Sequence, residues 1–369
     1  MPTAIAELLA HRCRTDGDMA VDDFIRSVLS HPQHGYYAQK DRLGPEGDFI
    51  TAPEISQMFG EMAASFLSYI WHLSGAPDHL KCCLYEAGPG RGTLLTDMRR
   101  TYQSIAPELA SAPIYLTEAS PHFRSVISQS VSATQPRFIT SPDALPALPV
   151  FGIANEFFDA LGVRQVCYHQ GRWHWRTIGL SEGKGPEFIF KDGDRLSDTE
   201  LANLVLPPTP SEGDIVEFSP ESEQIISQLS HHISRFGGAV LIADYGKSDN
   251  LGDTVQAVKD HAAHPVLDDI GEADITHLVD FSALSRTAAH KGARLIGPVT
   301  QKDFLTELGI FERAEALRKS GSPQTDRMLI AALDRLTSPA QMGQIFKIAV
   351  LVPDGDGLPP GFSTARSAF

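Results

Sequence analysis

The sequence predicts an α/β protein: a mostly parallel sheet with helices on both faces, preceded by a helical N-terminal region and interrupted by a β-rich insertion. Three observations carry that prediction. From residue 82 onward, short apolar runs of strand length alternate with helical segments, which is the rhythm of βα units. Between 163 and 192 the rhythm gives way to aromatic and β-branched runs parted by Gly-containing turns, as in antiparallel hairpins. The first 75 residues read chiefly as helix.

In chain order, DDFIRSVLSH (22–31) has a helical apolar period, with Asp22 placed to cap it, and a polar, Gly-rich stretch to residue 50 reads as loop. TAPE (51–54) sets Thr51 and Glu54 at capping-box spacing with Pro in the first turn. Ile55, Met58, Phe59, Met62, Phe66 and Ile70 then continue one amphipathic helix to about Leu73. The core follows as CCLYE (strand), TLLTDMRRTYQSI (helix), APIYLTEAS (strand), PHFRSVISQSV (helix), RFI and VFGIANEF (strands). VRQVCYH, GRWHWRTIGL and EFIF belong to the insertion, 161–212. The α/β rhythm resumes with DIVEFS, ESEQIISQLSHHISRF and AVLIADYG. Residues 248–280 are polar and irregular, a loop placed over the site; FSALSRTAAHKG, ARLIGPV, two helical segments and IFKIAVLV complete the chain. The organisation expected is an N-terminal region and lid over 1–75 and a core over 76–369.

Composition narrows the function classes. A formal charge of −15 lacks the basic footprint that nucleic acid or an anionic membrane demands. No apolar run reaches transmembrane length, and the first residues show neither a secretory signal nor a transit pattern, so a cytoplasmic protein without membrane insertion is expected. Cys13, Cys82, Cys83 and Cys167 form no zinc-spaced set and read as buried thiols of a reducing compartment, with no metal.

The chemistry is concentrated in YEAGPGRGTLL (85–95). A strand, a tight glycine turn and a helix present backbone N–H groups at the carboxyl edge of a parallel sheet, where such proteins bind ligands. Gly88, Gly90 and Gly92 are spaced GxGxG and follow the acidic Glu86, which fits neither the GxGxxG dinucleotide fingerprint nor a Walker loop. The arrangement resembles motif I of class I S-adenosyl-L-methionine (SAM) methyltransferases. Glu118 ends the next strand, where a carboxylate accepts ribose hydroxyls. Ser141 or Asp143, in TSPDALP, could reach an adenine. Asn155 and Glu156, in ANEFFDALG, stand at the end of the fourth strand, with Asp159 one helical turn beyond.

GDFITAPEISQMFGE (47–61), YEAGPGRGTLL, ANEFFDALGVRQ (154–165), EFSPE (217–221), LIADYG (241–246), GEADITHLVDF (271–281) and QMGQIFKIAVL (341–351) together resemble the MidA-like methyltransferases, in order and through nearly the whole chain. In AVKDHAAH (257–264) only His261 matches the Arg-containing, His-terminated pattern of that family. The family includes the mitochondrial complex I assembly factor. The resemblance implies a class I, Rossmann-like fold with a seven-stranded sheet and SAM as cofactor. It places Thr93, Thr51 and Glu54 at the donor beside Glu86, the three glycines, Glu118 and Ser141. It further implies a protein substrate, an arginine of an NADH dehydrogenase (complex I) subunit; the sequence also admits a homodimer.

For an arginine acceptor, whose pKa exceeds ~12, carboxylates must orient the guanidinium and relieve it of a proton as the methyl moves. Glu156 and Asp159 are the expected pair, with Asn155 beside them and Asp244 of LIADYG a third acid. Two other readings stand: a methyltransferase acting on a small molecule or another side chain, and a SAM-binding assembly chaperone with little turnover. An NAD-dependent oxidoreductase is disfavoured by the glycine spacing.

Overall fold

Alternation of buried side chains along the strands produces two apolar faces, and helices cover each. In Gly238–Lys247, Val240 and Ile242 pack with Ile226, Leu229 and Ile233 of the helix Pro220–Phe236. Leu241 and Ala243 point the other way, into the cluster that holds Phe59 and Phe66 of the helix Gln57–Leu73. The structure is a computed structural model describing residues 2–39, 51–130, 135–183, 187–320, 322–355 and 357–365. The segment 40–50, which holds the end of the expected Gly-rich loop and the start of GDFITAPEISQMFGE, lies outside the described residues.

We number the strands of the main sheet β1 (Cys83–Ala87), β2 (Ile114–Thr117), β3 (Arg137–Phe138), β4 (Val150–Asn155), β5 (Gly238–Lys247), β6 (Ala293–Thr300) and β7 (Phe346–Pro353). Their order is β3-β2-β1-β4-β5-β7-β6. β1 to β5 run parallel, and β7 lies antiparallel to both β5 and β6. The antiparallel β7 makes the sheet mixed, and an eighth strand, Val279–Asp280, pairs parallel with the end of β5, one strand more than the seven expected. The chain winds one way from β1 through β3 and the other way from β4, which opens a crevice at the carboxyl ends of β1 and β4.

Several local expectations change. The helix expected from Thr51 to Leu73 breaks at Ser56, whose extended backbone separates Ala52–Ile55 from Gln57–Leu73 and whose hydroxyl caps the longer helix by accepting the Met58 N–H (3.2 Å). Thr51 makes no side-chain cap, so the expected capping box does not form. Asp22 lies inside the helix Val21–Ser30 and accepts from Arg164 Nε (3.0 Å) instead of capping. Ile215–Phe218, read as a return to the α/β rhythm, pairs antiparallel with Arg164–His169 in a smaller sheet, beside Arg172–Leu180 and Phe188–Arg195. The stretch 248–280 is not irregular: Gln256–Lys259, Ala262–His264 and Asp274–Thr276 form a three-stranded antiparallel sheet. Its polar residues pair with one another, Lys259 with Asp269 and Glu272, while Ala257, Ile270 and Ile275 are buried.

The N-terminal helices join this outer part. Ile5, Leu9, Phe24, Ile25 and Val28 share one core with Val163, Ile178 and Phe188 of the insertion and with Ala257 and Ile275. Met19–Ala20 adds an antiparallel pair to Arg172–Leu180. The four cysteines are free thiols; three are buried and Cys13 is half-buried. Among the described residues no helix is long and apolar enough to cross a membrane.

Candidate functional site

The glycine loop follows β1 directly. Gly88, Gly90 and Gly92 have φ of +64°, +52° and +79°, a backbone that side chains with a Cβ rarely adopt. Gly88 N–H donates to the Thr117 carbonyl (2.8 Å), Gly92 N–H to the Pro89 carbonyl (2.8 Å), and Gly92 in its left-handed conformation starts the helix Thr93–Ile105. Gly90 N–H reaches Glu118 Oε2 (3.2 Å), and Ser120 N–H donates to Glu118 Oε1 (2.7 Å). Burial raises the Glu118 carboxyl above the usual range, offset in part by those N–H groups. Glu86, buried in β1, is pushed up to about 8 by burial and then by Glu118.

That shift has a consequence for stability. With an ordinary value of 4.5 and a folded value of about 8, the Glu86 proton is kept by both states at low pH and by the folded state alone in between. The parent should therefore lose stability relative to Glu86→Gln as pH rises from about 4.5 to about 8. Melting curves of the two ligand-free proteins across that range test it, and parallel profiles would show that Glu86 titrates normally.

Across the crevice, the register Ala243↔Asn155 sets Asp244 beside the turn after β4. Asp244 is fully buried, and its Oδ2 accepts three consecutive N–H groups, from Phe157 (3.1 Å), Phe158 (2.8 Å) and Asp159 (3.4 Å), while Oδ1 accepts that of Tyr245 (2.9 Å). The turn is thus wrapped around a carboxylate, and Glu156 takes φ +49° within it. Glu156 Oε1 accepts from Ala52 N–H (3.0 Å) and Asn155 Nδ2 (3.2 Å), and burial pushes its carboxyl up to about 7. Asp244 is likewise raised to about 7 by burial, and Asp159 well above the carboxylate range by burial and by Asp244.

These elements enclose a cavity of about 770 Å³, within the range of cofactor sites. Thr51, Glu54, Glu86, Gly88, Gly90, Thr93, Glu118, Ser141, Asn155 and Glu156 all line it. Gly92 shapes the loop without lining the cavity, and Asp159 and Asp244 lie behind the wall. Asp143 stands outside as well, accepting from Gln228 Nε2 (2.7 Å). Glu54 reaches the glycine loop: Thr93 Oγ1 donates to its Oε1 (2.5 Å), and Arg91 is 3.9 Å from Oε2.

Wall residues that sequence reasoning missed include Tyr37, Arg91 and Gln228. Tyr37 donates its hydroxyl to Asp274 Oδ1 (2.9 Å) and receives Ser120 Oγ on its carbonyl (3.0 Å); no local pattern announces it. Arg91 sits inside the glycine motif, and that position was its one signal.

Among the described residues, four wall side chains carry a buried atom without a hydrogen-bond partner: Asp22 Oδ1, Glu86 Oε2, Asn155 Oδ1 and Gln228 Oε1. Asp22 Oδ1, Asn155 Oδ1 and Gln228 Oε1 are acceptors, and Glu86 Oε2 becomes one when its carboxyl ionises, so the matching ligand brings donors. SAM fits, with its ribose hydroxyls, ammonium and exocyclic amine.

Comparison with known proteins agrees. Residues 62–299 match the model of a family described as "Putative S-adenosyl-L-methionine-dependent methyltransferase". The chain is 33% identical over 390 residues to "Protein arginine methyltransferase NDUFAF7, mitochondrial" of Xenopus tropicalis, covering 98% of this chain and 89% of that one. The human protein of the same name is 32% identical over 387 residues, with 95% and 84% covered. In fold, the chain is similar to a Burkholderia thailandensis protein crystallised with S-adenosylhomocysteine, at a TM-score of 0.85 and 24% identity, covering 99% of this chain and 96% of that one. The chain therefore belongs to the MidA-like family of SAM-dependent methyltransferases.

Proposed function

We propose that this protein methylates an arginine side chain of a protein substrate, with SAM as donor. The observation that carries the reading is the Asn155–Glu156 pair: a half-buried carboxylate and an unpaired amide oxygen at the end of β4, in a cavity where Asp22 Oδ1 and Gln228 Oε1 are further unpaired acceptors. A guanidinium offers the cationic N–H donors such a pair takes. The printed names of the relatives, which are protein arginine methyltransferases, support the same acceptor. On the sequence resemblance, the substrate is a subunit of NADH dehydrogenase (complex I), met in the cytoplasm.

When bound, SAM supplies a methyl group already activated on a sulfonium. Glu86, Gly88, Gly90, Thr93, Glu118 and Ser141 hold the donor, with Thr51 and Glu54 closing over it from the N-terminal side. Glu156 orients the acceptor through Oε2, because Oε1 is occupied by Ala52 and Asn155, and takes up the proton that the guanidinium sheds. Asn155 Oδ1 accepts a second N–H. Asp159 and Asp244 act through the turn that fixes Glu156. Since the ionised Glu156 is the working form and its value is about 7, methyl transfer should rise with pH through about 7.

Glu54→Ala should weaken SAM binding by about ten- to a hundredfold, the scale of one charge-assisted hydrogen bond of about 1.5–3 kcal/mol. The melting temperature should hardly move, because Ser56 caps the following helix. Unchanged affinity in that variant would remove Glu54 from the site. The acceptor is tested by incubating the protein with tritiated-methyl SAM and a cell lysate and identifying the labelled residue. Label on lysine, on a carboxylate or on a metabolite would keep the methyltransferase and discard the arginine.

A further inference from the structure

Part of the cavity wall is apolar: Ile139, Pro142, Phe157, Leu161 and Ile225 line it, and four of them pack onto the sheet's second core. Such a wall suits a heteroaromatic ring, and Gln228, which lines the same cavity, carries an unpaired buried atom, Oε1. Gln228 lies on the helix Pro220–Phe236, and its Nε2 donates to Asp143 Oδ2 at 2.7 Å. A carboxylate only accepts hydrogen bonds, so Asp143 fixes which end of the amide faces it, and the oxygen is left for a donor.

We infer that Gln228 Oε1 accepts the exocyclic amine of the adenine of SAM, and that Asp143 is a positioning residue holding the amide in that orientation. TSPDALP therefore recognises adenine at one remove: Ser141 lines the cavity, while Asp143 stays outside it and works through a side chain 85 residues further along the chain. Selection for adenine over a 6-oxo purine follows. Such a ring presents an acceptor where adenine presents a donor, and two acceptors would meet at a buried atom. The inference depends on the adenosyl donor and is independent of the identity of the methyl acceptor.

The test is calorimetric binding of S-adenosylhomocysteine and its 6-oxo analogue S-inosylhomocysteine to the full chain, with melting curves for each variant. The parent should prefer the adenosyl ligand by at least about tenfold. Gln228→Leu should bind S-adenosylhomocysteine about tenfold more weakly and lose the preference. Asp143→Ala, an exposed change, should reduce the preference because the amide is free to turn, and Asp143→Asn, whose amide can present either an acceptor or a donor, should reduce it as well. A parent that binds both ligands equally, or a folded Gln228→Leu with its preference intact, overturns the assignment. If Gln228→Leu does not fold, the Asp143 pair decides: equal preference in Asp143→Ala and the parent rejects the inference.

Discussion

Gly88→Val is expected to abolish SAM binding in a chain that still unfolds cooperatively. Gly88 has φ +64°, a region that a β-branched residue adopts only as an outlier. A Cβ there would stand 2.8 Å from Phe157 Cδ2, so the aromatic ring that walls the cavity must also shift. The left-handed conformation alone costs about 1–2 kcal/mol. The displaced loop also loses the Gly88 N–H bond to Thr117 and disturbs the Gly90 N–H bond to Glu118. Calorimetric titration with SAM reads the effect directly. A folded Gly88→Val protein with parental affinity would show that the loop does not cradle the donor, and Gly90→Val, at φ +52°, should behave alike.

Glu156→Gln should keep SAM affinity within a few-fold and lower methyl transfer on the order of a hundredfold, the ~2.7 kcal/mol scale of one electrostatic contact aimed at the transition state. The amide preserves the shape of the side chain and an oxygen that can still accept the Ala52 N–H, so the Ala52–Ile55 segment stays in place. What disappears is the charge and the group that receives the acceptor's proton. The rise in rate through about pH 7 should vanish along with it, a change that a loss of packing alone would not produce. Parental turnover in Glu156→Gln would refute the role, and a tenfold or greater loss of SAM affinity would move the residue to the donor side.

Much of the core was legible because its signals are local. β1, the glycine loop and the following helix are contiguous, and strand-end acids such as Glu118 and Glu156 can be placed by counting βα units. The order of strands was not legible, because nothing in β1 states that its neighbours are β2 and β4. Asp244 shows the same limit at the scale of one side chain. At the end of a strand it reads as one more acid for the site, yet its oxygens are taken up by four backbone N–H groups. Only the register between β4 and β5 decides that. Thr51 and Glu54 matched the capping-box spacing, but Thr93 and Arg91, about 40 residues away, compete for the Glu54 carboxylate. The polarity of 248–280 concealed strands because its charged residues pair within the segment, as Lys259 does with Asp269 and Glu272.

The core shared by the first helices, the insertion and the segment after residue 255 bears on how the chain is made. Ile5 and Leu9, on the helix Ala4–Asp16, are synthesised long before several of their partners, Ile270 and Ile275 among them. Thr3 hydrogen-bonds to Ile270 across 267 residues, and Met19 pairs with Ile178. Domains commonly fold from the N-terminus as they emerge, and contacts of large sequence separation form slowly. Here these helices must wait for the insertion and the segment after residue 255 before their shared core is complete. Growing chains therefore carry an incompletely covered apolar helix face until residues past 270 are made, and in refolding the amides of the helix Ala4–Asp16 should be among the last to gain protection from exchange.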